Sequence, residues 1–203
     1  MDKKSLASIH KKGQEKYDHN FTQKGRNNSY IEYYDNLFSE IDPDFHMKIL
    51  EMGISYGGSL WLWKNYFSNY ELHGLDILPS FVKDEKFDDM QLEITSDPNI
   101  HLHFGLNSRD VNSYMKLHEE SKTYNYFNII IDDADVNIES KLQTFQSTFG
   151  MLKPGGIYIM ENIQHIMHTA LIAQDIKRIS PASVIHSIVY NKSNDDIILQ
   201  VFK

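Results

Sequence analysis

The stretch from Ile129 to Asn137, IIIDDADVN, runs three β-branched apolar residues straight into Asp132, Asp133 and Asp135. Adjacent carboxylates repel and raise one another's pKa unless a cation or strong hydrogen-bond donors hold them. The stretch is therefore either a solvated strand end or a place where something positive sits. Further carboxylates stand at Glu51, just before the glycine turn of ILEMGISYGGS, and at Asp76, at the end of LHGLDI. Glycines let the backbone approach a ligand closely, and the N-terminus of a following helix offers free N–H groups. The dinucleotide pattern needs glycine where Ser55 stands, which weakens a pyrophosphate site and with it a nicotinamide oxidoreductase. A carboxylate at the second strand end suits two ribose hydroxyls, and one beside the first turn suits an ammonium group. Those are the polar handles of S-adenosylmethionine. The plain alternative is a turn whose glycines serve packing alone.

Such residues need a scaffold that gathers strand ends. MKILEMG, ELHGLDI, NIHLHFG, FNIIID and IYIMENI read as strands, while SYGGSLWLWKNYF, VNSYMKLHEES, NIESKLQTFQSTFGML and TALIAQDIKRI read as helices. Residues 2–40 read as helical, with Tyr30, Tyr33, Tyr34, Leu37 and Phe38 in one apolar stripe. DPDF and KPGG are expected turns, and the segment between the second and third strands a polar, acidic loop. SVIHSIVYN and IILQVFK, joined by KSNDD, form an expected antiparallel hairpin. Strands alternating with helices imply an α/β fold, a parallel sheet with helices on both faces. At 203 residues one domain over 1–203 is expected, a helical segment over 1–44 preceding a core over 45–203.

Together, ILEMGISYGGS, LHGLDI, FNIIIDDADV and LKPGGIYIMENI resemble, in order and spacing, the class I S-adenosylmethionine-dependent methyltransferases. The resemblance spans about residues 20–203 and implies a Rossmann-like, doubly wound, seven-stranded sheet with an antiparallel last strand. TQKGRNNSYIEYYDNLF and the strand-end carboxylates are similar to the metal-dependent sugar O-methyltransferases of macrolide biosynthesis. The chain also resembles the methyltransferase domain of large chlorella-virus proteins that build a rhamnose-containing glycan. The resemblance implies that Glu51, Gly53, Tyr56 and Gly57 contact the methionine part of the cofactor and that Asp76 takes the ribose hydroxyls. It places Asn107 and Ser108 near the adenine, and Tyr30 over the methionine end or the substrate. For Tyr30 a core position on its helix is the alternative.

The strands ending at Asp132-Asp133 and Glu161-Asn162 should be neighbours, about 4.8 Å apart. Asp133, Glu161 and Asn162 then offer two carboxylates and a carbonyl oxygen, a hard set suited to Mg²⁺ or Mn²⁺. The resemblance implies the same three ligands, with Asn162 where the macrolide enzymes carry aspartate. A metal there would acidify a substrate hydroxyl. The family's base position is occupied by Val136, so Asp135, or His165 or His168 from the following loop, is the candidate base. Asp132 would brace the site or the cofactor. His101 and His103, alternate on one strand, could bind metal, although a satisfied half-buried pair is the plainer reading, and no HExxH motif is present.

Composition narrows the remaining classes. A formal net charge of −8 with scattered Lys and Arg disfavours nucleic acid. The absence of cysteine excludes disulfides and thiol catalysis. No apolar run reaches membrane-span length, so a soluble, cytoplasmic chain is expected, in the host cytoplasm if viral. The expected acceptor is a sugar or glycan hydroxyl. A catechol-type acceptor and an inactive S-adenosylmethionine-binding module are the alternatives.

Overall fold

The apolar runs become strands. They are β1 (Met47–Met52), β2 (Tyr70–Asp76), β3 (Ile100–Phe104), β4 (Phe127–Asp132), β5 (Leu152–Ile163), β6 (Val184–Val189) and β7 (Ile197–Phe202). The central β1, β4 and β7 are buried almost throughout, and the edge strands β3 and β6 are partly exposed. A computed structural model of the chain describes residues 5–42, 44–113, 115, 117, 123–189 and 197–203. Pro43 of the expected first turn, much of the helix expected at 111–121 and the KSNDD turn lie outside the described residues. The strands form one sheet in the order β3-β2-β1-β4-β5-β7-β6. The first five are parallel, and β7 runs antiparallel to both its neighbours. This is the Rossmann-like seven-stranded sheet expected. Chain order reverses between β1 and β4, which opens a crevice at their carboxyl ends.

Helices α1 (Leu6–Lys16), α2 (Ser29–Ser39), α3 (Gly58–Tyr66) and α4 (Asp88–Thr95) join one core layer, while α5 (Ile138–Thr148) and α6 (Ile166–Ile179) join the other. Within β4 the alternation is direct: Ile129 and Ile131 face the first layer and Ile130 the second.

Three expectations need correction. The helix expected over residues 2–40 is broken: α1 ends at Lys16, a 3₁₀ turn spans Gln23–Asn28, and α2 begins at Ser29. Packing causes the break, because the ring of Phe21 lies where a Cβ on Gly13 would be, and His10 Nε2 where one on Gly25 would be. The acidic loop before β3 contains α4, whose Met90 and Ile94, one turn apart, are buried, with Asp88 and Asp89 at its positive end. The KPGG turn is absorbed into β5: Leu152 pairs with Phe127, Gly155 takes φ 77°, and Gly155 N–H donates to Lys203 O at 2.9 Å.

Candidate active site

The first turn is shaped by what it touches. Gly53 has φ 85°, and a Cβ there would lie 2.5 Å from Asp133 O, so the turn is pressed against the end of β4. Asp76 Oδ2 accepts from the N–H groups of Ile54 and Ser55, both at 3.0 Å, and Oδ1 from Leu78 N–H at 3.0 Å. Gly57, φ 92°, caps α3. Around this turn lies a cleft of about 450 Å³, of the size that takes small-molecule cofactors. Gly53, Tyr56, Asp76, Asn107 and Ser108 line it on one side, Asp133, Asp135, Val136 and Asn162 on another, and the 20–24 segment closes a third.

At the deep end stands Lys24, only 2% exposed. Its Nζ lies 3.0 Å from Glu51 Oε1, 3.0 Å from Asp133 Oδ2 and 2.8 Å from Glu161 Oε2. Burial opposes its charge, but the carboxylates of Asp133, Glu161 and Glu51 outweigh that and hold its pKa well above the ordinary lysine value. The positive group that the charge knot called for is thus supplied by the chain. One ammonium against three carboxylates leaves an excess of negative charge. Glu161 absorbs part of it: burial, then the charges of Asp133 and Glu51 against the pull of Lys24, push its carboxyl up to about 8. Tyr34 O–H donates to Glu161 Oε1.

Asn162 is positioned by a bulge. The β5–β7 register shifts between Met160 and Ile163, and Asn162 adopts φ 57°, a left-handed conformation that asparagine tolerates. Its backbone N–H donates to Tyr30 Oη at 3.1 Å, Tyr30 O–H donates to its Oδ1 at 3.3 Å, and its amide Nδ2 donates to Asp133 Oδ1. Tyr30 therefore reaches the site from its buried helix position.

Other expected site residues lie apart from the cleft wall. Glu51 is fully buried, with Trp63 Nε1 donating to its Oε2 at 2.8 Å, so it acts on the cleft through Lys24. Asp132 points into the opposite core layer, where Lys141 Nζ approaches its Oδ1 at 3.4 Å; burial raises its pKa against the pull of Lys141. His165 is exposed and caps α6, its Nδ1 accepting from Met167 N–H at 3.1 Å. Asp135 is on the wall. Burial would raise its pKa, but donors from Asn137, Ser140 and Val136 hold it below the usual carboxylate value. Lys24 and Arg109, also on the wall, were not singled out from sequence. Nothing local marks Lys24 beyond its place in TQKG, because its partners lie 27, 109 and 137 residues away.

The cleft fits a cationic cofactor: it offers a tethered carboxylate at Asp76 and an excess of negative charge around Lys24. The three expected metal ligands fit an ion poorly in this arrangement. Lys24 Nζ, 3.0 Å from Asp133 Oδ2 and 2.8 Å from Glu161 Oε2, stands between them where an ion would sit, and Asn162 turns its amide nitrogen toward Asp133.

No family model matches the chain. Demethylmacrocin O-methyltransferase of Streptomyces fradiae is 28% identical over 138 residues, 64% of this chain and 31% of that protein. The 8-demethyl-8-(2-methoxy-alpha-L-rhamnosyl)-tetracenomycin-C 3'-O-methyltransferase of Streptomyces olivaceus is 25% identical over 124 residues, 58% of this chain and 28% of that protein. The MycE methyltransferase from the mycinamycin biosynthetic pathway, solved with Mg, SAH and mycinamycin VI, superposes with a TM-score of 0.70 at 20% identity, over 100% of this chain and 54% of that one. The matches thus span about a third of the curated relatives' length and about half of the solved chain. The chain thus shares the fold of the MycE methyltransferase from end to end and is similar in sequence, over 64% of its length, to demethylmacrocin O-methyltransferase.

Proposed function

We propose that the chain transfers a methyl group from S-adenosylmethionine to a hydroxyl of a sugar or glycan, rhamnose-like in character. The observation that carries this reading is the Asp133–Lys24 pair at one end of a cleft whose other end holds the tethered Asp76. The relatives named above, O-methyltransferases of glycosylated natural products, support a sugar acceptor. When bound, the cofactor supplies an electrophilic methyl group on a sulfonium. Asp76 orients the ribose, and the turn at Gly53 to Gly57 brings backbone close to the methionine part. Asn107 and Ser108 flank the adenine.

Hydrogen bonds from Asn137, Ser140 and Val136 hold Asp135 in its charged form, which weakens it as a base. Asp133 is assigned the acceptor's proton: it is part-exposed to the cleft and fixed by Asn162 and Lys24. Lys24 keeps that carboxylate placed, its Nζ 3.0 Å from Oδ2, taking the role that the resemblance gives to Mg²⁺ or Mn²⁺.

The test is a methyl-transfer assay on rhamnosides and on catechols, with and without EDTA. Transfer to rhamnosides that survives EDTA is expected. Asp133→Asn should lower the rate by about 10²–10⁴, the usual worth of a positioned base, and Asp135→Asn far less. Loss in EDTA restored by Mg²⁺ or Mn²⁺ would show that an ion displaces Lys24. Transfer to catechols alone would overturn the sugar assignment.

A further inference from the structure

Away from the cleft, histidines gather on the open edge of the sheet. Glu71 and His73 of β2 share one face with His101 and His103 of β3, because each pair is two residues apart on its strand and His73 stands opposite His101. At about 3.3 Å per residue, Glu71 lies roughly 16 Å along β2 from Asp76, so this group is separate from the cofactor cleft. Among the described residues, Glu71, His73 and His101 form a group whose ligand atoms all lie within 4.8 Å of one another.

From this juxtaposition we infer a Zn²⁺ site held by Glu71, His73 and His101, with water in the fourth position. Two imidazoles and a carboxylate are a donor set that suits zinc. His73 Nε2 lies 3.0 Å from Glu71 Oε1. That is close to the edge, about 3.3 Å, of a tetrahedron with bonds of about 2.0–2.1 Å. The His73 and His101 ring centroids are 4.6 Å apart, and the exposed His101 is free to turn its nitrogen toward the ion.

The surroundings fix the protonation that a metal needs. His73 Nδ1 lies 3.1 Å from His103 Nε2. With Nδ1–H donated to His103, His73 Nε2 has a free lone pair for the metal; without metal, Nε2–H donates to Glu71 and His103 donates to Nδ1. His103 thus sets the tautomer of a ligand it does not replace. Tyr126 O–H donates to Glu71 Oε1 and Lys48 Nζ lies 3.3 Å from Oε2, so the carboxylate is fixed in place beside the imidazoles.

The test is spectroscopic and independent of methyl transfer. The full chain, stripped with chelator, is titrated with Co²⁺ and then with Zn²⁺. One equivalent of Co²⁺ should give the intense visible bands of a four-coordinate ion, and Zn²⁺ should erase them. His101→Ala and Glu71→Gln should abolish the bands, His103→Ala should weaken Co²⁺ binding ten- to hundredfold, and His186→Ala, on β6, should leave it unchanged. His101 and Glu71 are chosen because His73 is buried and its removal threatens folding; circular dichroism confirms that each variant is folded. Absence of the bands, or bands that persist in both His101→Ala and Glu71→Gln, would overturn the site.

Discussion

Removing the ammonium of Lys24 would leave Glu51, Asp133 and Glu161 facing one another with no counter-charge. Two of those carboxylates are at most 1% exposed, so water cannot replace it. Breaking a buried charge network by deleting one partner costs about 3–5 kcal/mol. Lys24→Met should therefore lower stability by about that amount in urea unfolding, far beyond a surface lysine substitution. The same variant should abolish methyl transfer. A double variant, Lys24→Met with Glu161→Gln, should regain part of the stability and none of the activity, because an amide cannot ionise beside Glu51 and Asp133 and does not restore the group that holds Asp133. At this scale the residue types of the site were legible: the carboxylates, the glycine turn and Asn162 are marked by their place at strand ends. Lys24 was not, since a lysine becomes a counter-ion only through what surrounds it.

Among the elements, the N-terminal helices must stay docked for Lys24, Tyr30 and Tyr34 to reach the strand ends. Glu93 of α4 is one fastening: it accepts from Trp61 Nε1 of α3 at 2.9 Å and from Tyr17 O–H at 3.0 Å, and it pairs with Lys16. Burial would raise its pKa, but the hydrogen bonds from Lys16, Trp61 and Tyr17 bring it below the usual glutamate value. A lowered folded-state pKa means that the unfolded chain binds the proton more readily. This contribution is therefore present above the unfolded value of about 4.3 and is lost as pH falls through the lower folded value. Urea unfolding between pH 3 and 6 should show a shallower acid decline for Glu93→Gln than for the wild type. Strands were legible because burial on both faces writes continuous apolar runs. Helix α4 was not, because eight residues with two buried side chains leave little period to detect. The break before α2 was also hidden, since Gly13 and Gly25 owe their positions to contacts with Phe21 and His10.

For the whole molecule, a ligand that bridges the β1, β2 and β4 ends stabilises the native sheet by mass action. S-adenosylmethionine at a hundred times its dissociation constant should add about 2.7 kcal/mol, read as a rise in Tm. Asp76→Ala should remove that increment; because Asp76 also holds the turn through Ile54 and Ser55 N–H, the measure is the ligand-induced rise and not the Tm itself. Among the described residues no helix is long and apolar enough to span a bilayer.

By itself the sequence determined the alternation of strands and helices, the closing hairpin and the strand ends where carboxylates gather. Those properties follow from local periodicity, which the chain carries residue by residue. Only the tertiary structure decided which positive group answers the carboxylates of IIIDDADVN. Charge pairing depends on distance in space, and the fold brings Lys24 to within 3.0 Å of Asp133 across 109 residues of chain. The strand alternation separates Asp132 from Asp133, and only the packing of the helices decided that Asp132 meets Lys141 in the core while Asp133 lines the cleft.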